Sequence, residues 1–392
     1  MIKLLITADL HLSEDEPERL EVFQWLVERG IEEDVDAILI GGDMFDSGHA
    51  FRSLKGELLP HPGATGAELP VFTVPGNHDS NLSSTSYLGE GFRVLDETSG
   101  PATIHSDGDS LSIRGLPYRR GKNRGLRKSE VLEATKGGAN ILLTHGSLID
   151  PDREYIFQGI DCQNEENKHL IFRRDFSELD YDCVVLGHWH QADHLKGENT
   201  DFIYPGSPVP TSKRELGRKW YWTLKIENGE ELEFEKKSVN SESSWYYRKE
   251  TLFSVPNHGD SLPGELRKLL RGLERDPRCS LIVEIDGFAS RENELQLKGE
   301  LEEISNRFED EFYEVELAWE ISPIGKLDRP FPSRFIEEID RLDASDIDLN
   351  GILGADEGQY ADLFSKILDG ELEEVKRRAL RGGLEVISER LD

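Results

Sequence analysis

A chain of 392 residues is long enough for two or three domains and for a substantial core. Charged residues make up 32% and the hydrophobic set 36%, polar for a globular protein yet outside disordered compositions. A formal net charge of −32 argues against a protein that coats nucleic acid by bulk electrostatics, although divalent metals and local basic patches can hold phosphates inside an acidic envelope. The same surplus of Asp and Glu suits a high-salt cytoplasm. Cys162, Cys183 and Cys279 form no CxxC pair, so neither a disulfide frame nor a structural zinc site is indicated. No run approaches the ~20 apolar residues of a membrane helix, and the expectation is a soluble, cytoplasmic protein.

In chain order, Ile2 to Ala8 reads as a buried strand and ends in Asp9-Leu10-His11. Glu16-Pro17 opens a helical pattern with Leu20, Phe23, Leu26 and Val27 on one side, ended by Gly30. Val35 to Ile40 is a second strand, followed by Gly42-Asp43-Met44-Phe45-Asp46, which gives a β-α-β start. Residues 47 to 70, rich in Gly, Pro and His, read as irregular or partly helical. Val71 to Val74 then leads into Gly76-Asn77-His78-Asp79. Between Leu82 and Lys136 one strand stands out, Leu111 to Arg114. Ile141 to Thr144 precedes His145-Gly146, and Cys183 to Leu186 precedes Gly187-His188-Trp189-His190. After Tyr204-Pro205-Gly206-Ser207-Pro208, strands Trp220 to Ile226 and Leu232 to Lys237 flank Asn228-Gly229, a strong hairpin signal.

The character changes after residue 241. From Tyr246 the order reads strand, helix (262 to 273), strand (281 to 285), helix (292 to 308) and strand (312 to 321). Residues 330 to 392 are acidic and helical, with Phe335, Ile336 and Ile339, then Tyr360, Leu363, Phe364, Ile367 and Leu368, at helical spacing. Three regions follow: a catalytic domain over 1–241, a small α+β module over 246–325 and a helical tail over 330–392.

Polar clusters that each follow a short Val- and Ile-rich strand belong at one edge of an open α/β sheet, where functional groups gather. A lone Asp or His after a strand is commonly a solvated loop residue. Five such clusters in order are a metal-site signature. Imidazoles and carboxylates without thiolates suit Mn, Fe, Zn or Mg. His49, His61, His105, His169, His194 and His258 lack such context, and His194 reads as a surface histidine.

The pattern DxH…GDxxD…GNH…H…GHxH resembles that of the calcineurin-like metallophosphoesterase superfamily. The resemblance implies a two-sheet α/β/β/α sandwich with two divalent metal ions. Matched by motif, Asp9, His11 and His190 would bind one ion, and Asn77, His145 and His188 would complete the second site, with Asp43 bridging both. Two ions about 4 Å apart activate water and clamp both oxygens of an in-line displacement. His78 resembles the family histidine that faces the scissile phosphate without being a permanent ligand, and Asp46 the residue that orients it.

The α+β module, the helical tail and the YPGS segment resemble the SbcD branch of DNA-repair nucleases, in which the module caps the active site. That branch implies a Mn²⁺-dependent exonuclease and endonuclease, a homodimer, and an SbcC-type coiled-coil ATPase docking on the C-terminal helices. Positive charge gathers in Arg114, Arg119, Arg120, Lys122, Arg124, Arg127 and Lys128, and again in Lys213, Arg214, Arg218 and Lys219. Tyr118 and Trp220 add aromatic faces for bases. Arg119, Arg120, Lys122 and Arg124 are the candidate DNA contacts. The alternative is a small-molecule phosphodiesterase or phosphomonoesterase on the same two metals. A non-hydrolytic metal-bearing scaffold fits less well with an intact ligand set.

Overall fold

The computed structural model describes residues 1–58, 69–119, 134–135, 137–149, 169–176, 179–227, 231–254, 262–289, 294–323 and 341. Predicted features at Arg120, Lys122 and Arg124, and the whole tail stripe from Phe335 to Leu368, lie outside these residues. The described residues fall into two compact units, one ending at Tyr247 and the other beginning at Arg248.

The first unit opens with β1 (Ile2–Thr7), α1 (Pro17–Glu32), β2 (Ala37–Ile40), α2 (Gly48–Leu54), β3 (Val71–Thr73) and β4 (Phe92–Val94). It continues with β5 (Ala102–Ser106), β6 (Asp109–Leu116), β7 (Ala139–His145), β8 (Ser147–Ile149) and β9 (Leu170–Phe172). β10 (Cys183–Gly187), β11 (Asp193–Leu195), β12 (Asp201–Tyr204), β13 (Trp220–Ile226) and β14 (Glu233–Ser238) complete it. Two six-stranded mixed sheets result, in the orders β14-β13-β1-β2-β3-β4 and β11-β12-β10-β7-β6-β5.

Alternation along the strands decides which face each side chain covers. Leu4 and Ile6 of β1 join Leu39, Ile141, Leu143, Cys183 and Val185 in the layer between the sheets. Leu5, Ile38 and Ile40 face the other way, onto Val22, Phe23, Leu26 and Val27 of α1. Pro17 begins that helix, where its missing N–H costs nothing, and the helix runs past Gly30 to Glu32. On the outer face of the second sheet, Leu142, Val184 and Phe202 are covered by Leu148, Ile171, Phe176 and Tyr181. Those residues come from the β8–β9 pair, a 3-10 turn over Arg173–Phe176 and the segment after it. Among the described residues, these short strands and the turn are what cover that outer face.

The predicted hairpin is present, with β13 and β14 antiparallel and Trp220 opposite Ser238. Between Leu82 and Lys136, where periodicity was weak, the described chain forms β4, β5 and β6, the last extending beyond the predicted 111–114. The chain continues with β15 (Tyr246–Ser254), which belongs to the second unit from Arg248 on, then α3 (Leu262–Gly272), β16 (Asp276–Ala289), α4 (Glu294–Asn306) and β17 (Phe312–Pro323). β16 and β17 run parallel beside β15, as a strand-helix-strand crossover requires, over a core that includes Leu266, Leu270, Leu281, Val283 and Leu301. Among the described residues, no helix is long and apolar enough to cross a membrane.

Candidate metal centre

β1, β2 and β3 are parallel in the first sheet, as are β6, β7, β10 and β12 in the second. Their carboxyl ends therefore deliver loops to common edges, the usual place for a site. Asp9 and His11 follow β1, Asp43 and Asp46 follow β2, and Asn77 and His78 follow β3. His145 closes β7, and His188 and His190 follow β10. The two edges meet closely. A Cβ on Gly187 would lie 2.0 Å from the Gly41 carbonyl oxygen, so only glycine lets these strand ends approach.

The loop backbones are strained. Of six non-glycine residues with positive φ among the described residues, four are Asp9 (51°), His11 (46°), Asp43 (45°) and His188 (89°). Specific hydrogen bonds hold them. The His188 N–H donates to Asp9 Oδ1 at 2.9 Å, and the His78 N–H to Asp43 Oδ1 at 2.8 Å. Arg19, on α1, donates from Nη1 to the His11 carbonyl at 2.8 Å. Asp79 clamps two loops together, accepting from the Gly76 N–H at 2.7 Å, the Met44 N–H at 2.8 Å and the Phe45 N–H at 3.2 Å. Burial and the charge of Asp43 push the Asp79 carboxyl up to about 7, against the pull of its N–H donors.

The side chains converge in three overlapping groups whose ligand atoms lie within 4.8 Å of one another: Asp9 with His11 and His190, His11 with Asp43 and His78, and Asp9 with Asp43 and His145. Asn77 extends the set, its Oδ1 lying 3.0 Å from His145 Nε2 and 3.0 Å from His188 Nδ1. Asp43 is shared, with Oδ2 3.3 Å from His145 Nε2 and 3.8 Å from His11 Nε2.

Ring orientation shows what this set is suited to hold. His145 Nδ1 donates to the Gly41 carbonyl at 2.9 Å. Carboxylates lie behind the other two rings, with His11 Nδ1 3.3 Å from Asp46 Oδ1 and His190 Nδ1 2.7 Å from Glu215 Oε1. In the neutral, metal-binding form of each ring, its acceptor calls for the proton on Nδ1 and leaves the Nε2 lone pair turned inward. His11 Nε2 and His190 Nε2 then meet at 3.4 Å, two acceptors facing each other. Asp9 and Asp43 are both buried and bear like charge, with no Lys or Arg bonded to either carboxylate in any described contact. Burial raises Asp9 above the usual carboxylate range. For Asp43, burial is outweighed by His145 and His11, which hold its carboxyl well below that range. Reciprocally, burial disfavours charge on His145, but Asp43 lifts the imidazole to about 9. Inward lone pairs and paired buried carboxylates fit divalent cations, whose charge would replace those imidazole protons.

The structure thus brings together Asp9, His11, Asp43, Asn77, His145, His188 and His190, with His78 and Asp46 at the rim. His78 is 43% exposed, and its Nδ1 donates to the Asp46 carbonyl at 3.0 Å. The Asp46 carboxylate is shared rather than dedicated to His78, being 3.3 Å from His11 Nδ1 and 3.5 Å from His78 Nδ1. The basic residues are less available than their sequence implies. Arg119 bonds to Glu97 through Nε at 2.6 Å, and Lys219 is buried on Glu215 at 2.7 Å. Trp220 carries Lys236 over its ring at 4.6 Å. Tyr118 packs against the rings of His145 and His169, with centroids 6.0 Å away in both cases. His194 is half-buried against Asp201 at 3.2 Å and not a free surface histidine.

Glu215, Asp79, Arg19 and His169 were not singled out from sequence. His169 is buried and donates from Nδ1 to the His145 carbonyl at 2.9 Å. Only Asp79, inside the GNHD cluster, had a local signal.

Carboxylates and imidazoles gathered on strand ends between two mixed sheets make a candidate dimetal site of the kind metallophosphoesterases carry. Residues 2–192 match the calcineurin-like phosphoesterase family, so this part of the chain is a calcineurin-like metallophosphoesterase domain. It is 27% identical over 241 residues to the DNA double-strand break repair protein Mre11 of Aeropyrum pernix, covering 55% of this chain and 56% of that protein. The SbcD component of the nuclease SbcCD of Escherichia coli is 26% identical over 267 residues, covering 56% of this chain and 64% of that one. The chain therefore spans less than two thirds of either protein. The uncharacterized metallophosphoesterase YhaO of Bacillus subtilis is 24% identical over 391 residues, covering 90% of this chain and 86% of that one.

Proposed function

We propose that this chain is a DNA nuclease that hydrolyses phosphodiester bonds with two Mn²⁺ ions, cutting as exonuclease and endonuclease in DNA repair in the cytoplasm. The observation that carries the reaction class is Asp43, buried where the imidazoles of His11 and His145 both reach its carboxylate. The choice of DNA rests on the similarity to Mre11 and to the SbcD component of the SbcCD nuclease.

When bound, two divalent ions would supply an activated water and charge to offset the transition state. Asp9, His11 and His190 would hold one ion, and Asn77, His145 and His188 the other, with Asp43 common to both. His78 has the exposure and the anchored ring that proton delivery to the departing oxygen requires. Gly76 keeps that loop close, since a Cβ there would meet Asp43 Oδ1 at 2.1 Å.

The second reading is a small-molecule phosphodiesterase or phosphomonoesterase, favoured by the engagement of Arg119 with Glu97. Assays of the purified protein with Mn²⁺ on single- and double-stranded DNA beside bis-p-nitrophenyl phosphate separate the two. The nuclease reading expects Mn²⁺-dependent DNA cleavage that EDTA stops; hydrolysis of the small ester alone supports the alternative. A homodimer partnered by an SbcC-type ATPase completes the proposal. Deleting 355–392 should abolish ATPase association and spare cleavage of short DNA.

A further inference from the structure

The loop joining β12 to β13 carries exposed Lys213, Arg214 and Arg218, but sends three other side chains inward. Glu215 reaches His190 Nδ1 with Oε1 at 2.7 Å. The Thr211 hydroxyl donates to that same Oε1 and lies 2.8 Å from His190 Nδ1. The other oxygen, Oε2, accepts from Lys219 Nζ at 2.7 Å and from the Thr211 N–H at 3.2 Å. With Lys219 only 7% exposed, this carboxylate is held at both ends in a largely dry setting.

The directions of these bonds leave His190 one arrangement. The Thr211 hydroxyl spends its hydrogen on Glu215, so toward Nδ1 it offers only lone pairs, as does Oε1. A proton on His190 Nδ1 satisfies both, and in the neutral ring, the form that ligates a metal, Nε2 is then the unprotonated nitrogen, on the side where His11 Nε2 lies 3.4 Å away. Lys219 Nζ, 2.7 Å from Oε2, anchors the far end of the carboxylate and holds it against rotation away from the ring.

We propose that Glu215, braced by Thr211 and Lys219, is a positioning residue that fixes the ring and tautomer of His190 for one ion of the pair. The inference rests on the dimetal reading above and adds a residue outside the motifs. A carboxylate behind a ligating imidazole raises its basicity, and loss of such partners typically weakens metal binding roughly 10–100-fold. Glu215 acts only through His190, so the loss falls on one ion. The ion held by Asn77, His145 and His188 keeps its affinity.

Calorimetric Mn²⁺ titration of the metal-free full chain tests this in the wild type, Glu215→Ala and Glu215→Gln. The wild type is expected to bind two ions. Glu215→Ala should weaken one by roughly 10–100-fold and leave the other unchanged, and Glu215→Gln, which can still accept from Nδ1–H, should fall between. A wild type that binds no pair of ions refutes the dimetal reading itself. Two intact affinities in Glu215→Ala, or an equal loss at both sites, overturn the role of Glu215 while that reading stands. Histidine ¹⁵N shifts of the wild type loaded with diamagnetic Zn²⁺ need no variant to fold. The proposal expects the His190 proton on Nδ1 and zinc on Nε2, and the reverse assignment overturns it.

Discussion

His11 and His190 face each other Nε2 to Nε2 at 3.4 Å, each with a carboxylate at its back. Two neutral imidazoles so braced cannot donate to one another without giving up Asp46 or Glu215. A cation between them removes the conflict, and Asp9 beside them supplies the negative charge to hold it.

Asp46 and His78 should separate under mutation, although they are neighbours. His78→Ala is expected to retain both metals and lower turnover by roughly 10²–10⁴-fold, as for loss of a general acid. Asp46→Ala should also weaken metal binding, by roughly 10–100-fold, because its carboxylate braces His11. Metal content by elemental analysis beside turnover decides the matter. A His78→Ala protein that loses metal along with activity would make His78 a ligand.

Asp79 holds the GDMFD and GNHD loops together through three N–H donors. Asp79→Ala strands those donors in a buried place, at a cost of roughly 1–3 kcal/mol for each one left without a partner. Urea unfolding should show a loss of several kcal/mol, together with weakened metal binding. A midpoint within error of the wild type would mean that water replaces the carboxylate.

These contrasts show what was legible in the sequence. The strand-end motifs named Asp9, Asp43, Asn77, His145 and His188 because each ligand sits within a few residues of an apolar run. The β-α-β start and the order of the second unit were visible for the same reason, since periodicity is local. Glu215 was hidden because it lies 25 residues from His190 in a stretch dominated by Lys and Arg. Lys219 was counted there only as one of a basic group, since its burial on Glu215 is set by packing that no local pattern reports. The roles of Asp46 and Arg119 depended likewise on which distant partner, His11 or Glu97, came within reach.

The pH dependence follows from His145, which Asp43 lifts to about 9 in the metal-free fold despite burial. A folded-state value raised above the unfolded ~6.5 contributes stability that is complete below pH 6.5 and is lost as pH rises through about 9. Metal-free protein should therefore melt at lower temperature at pH 9.5 than at pH 6.5, while metal-loaded protein should not follow this trend. Metal binding near neutral pH must displace the imidazole proton, so affinity should rise with pH. Melting curves with EDTA and with Mn²⁺ across this range, and proton release measured by calorimetry in two buffers, provide the check.

The most direct test of the account is the metal stoichiometry of Asp43→Ala beside the wild type. The wild type should bind two Mn²⁺ per chain, with the paramagnetic signal of a coupled pair. Asp43→Ala should lose the coupled signal, disturb both sites and abolish metal-dependent hydrolysis. A variant that still binds two coupled ions, or retains full activity, would contradict the account.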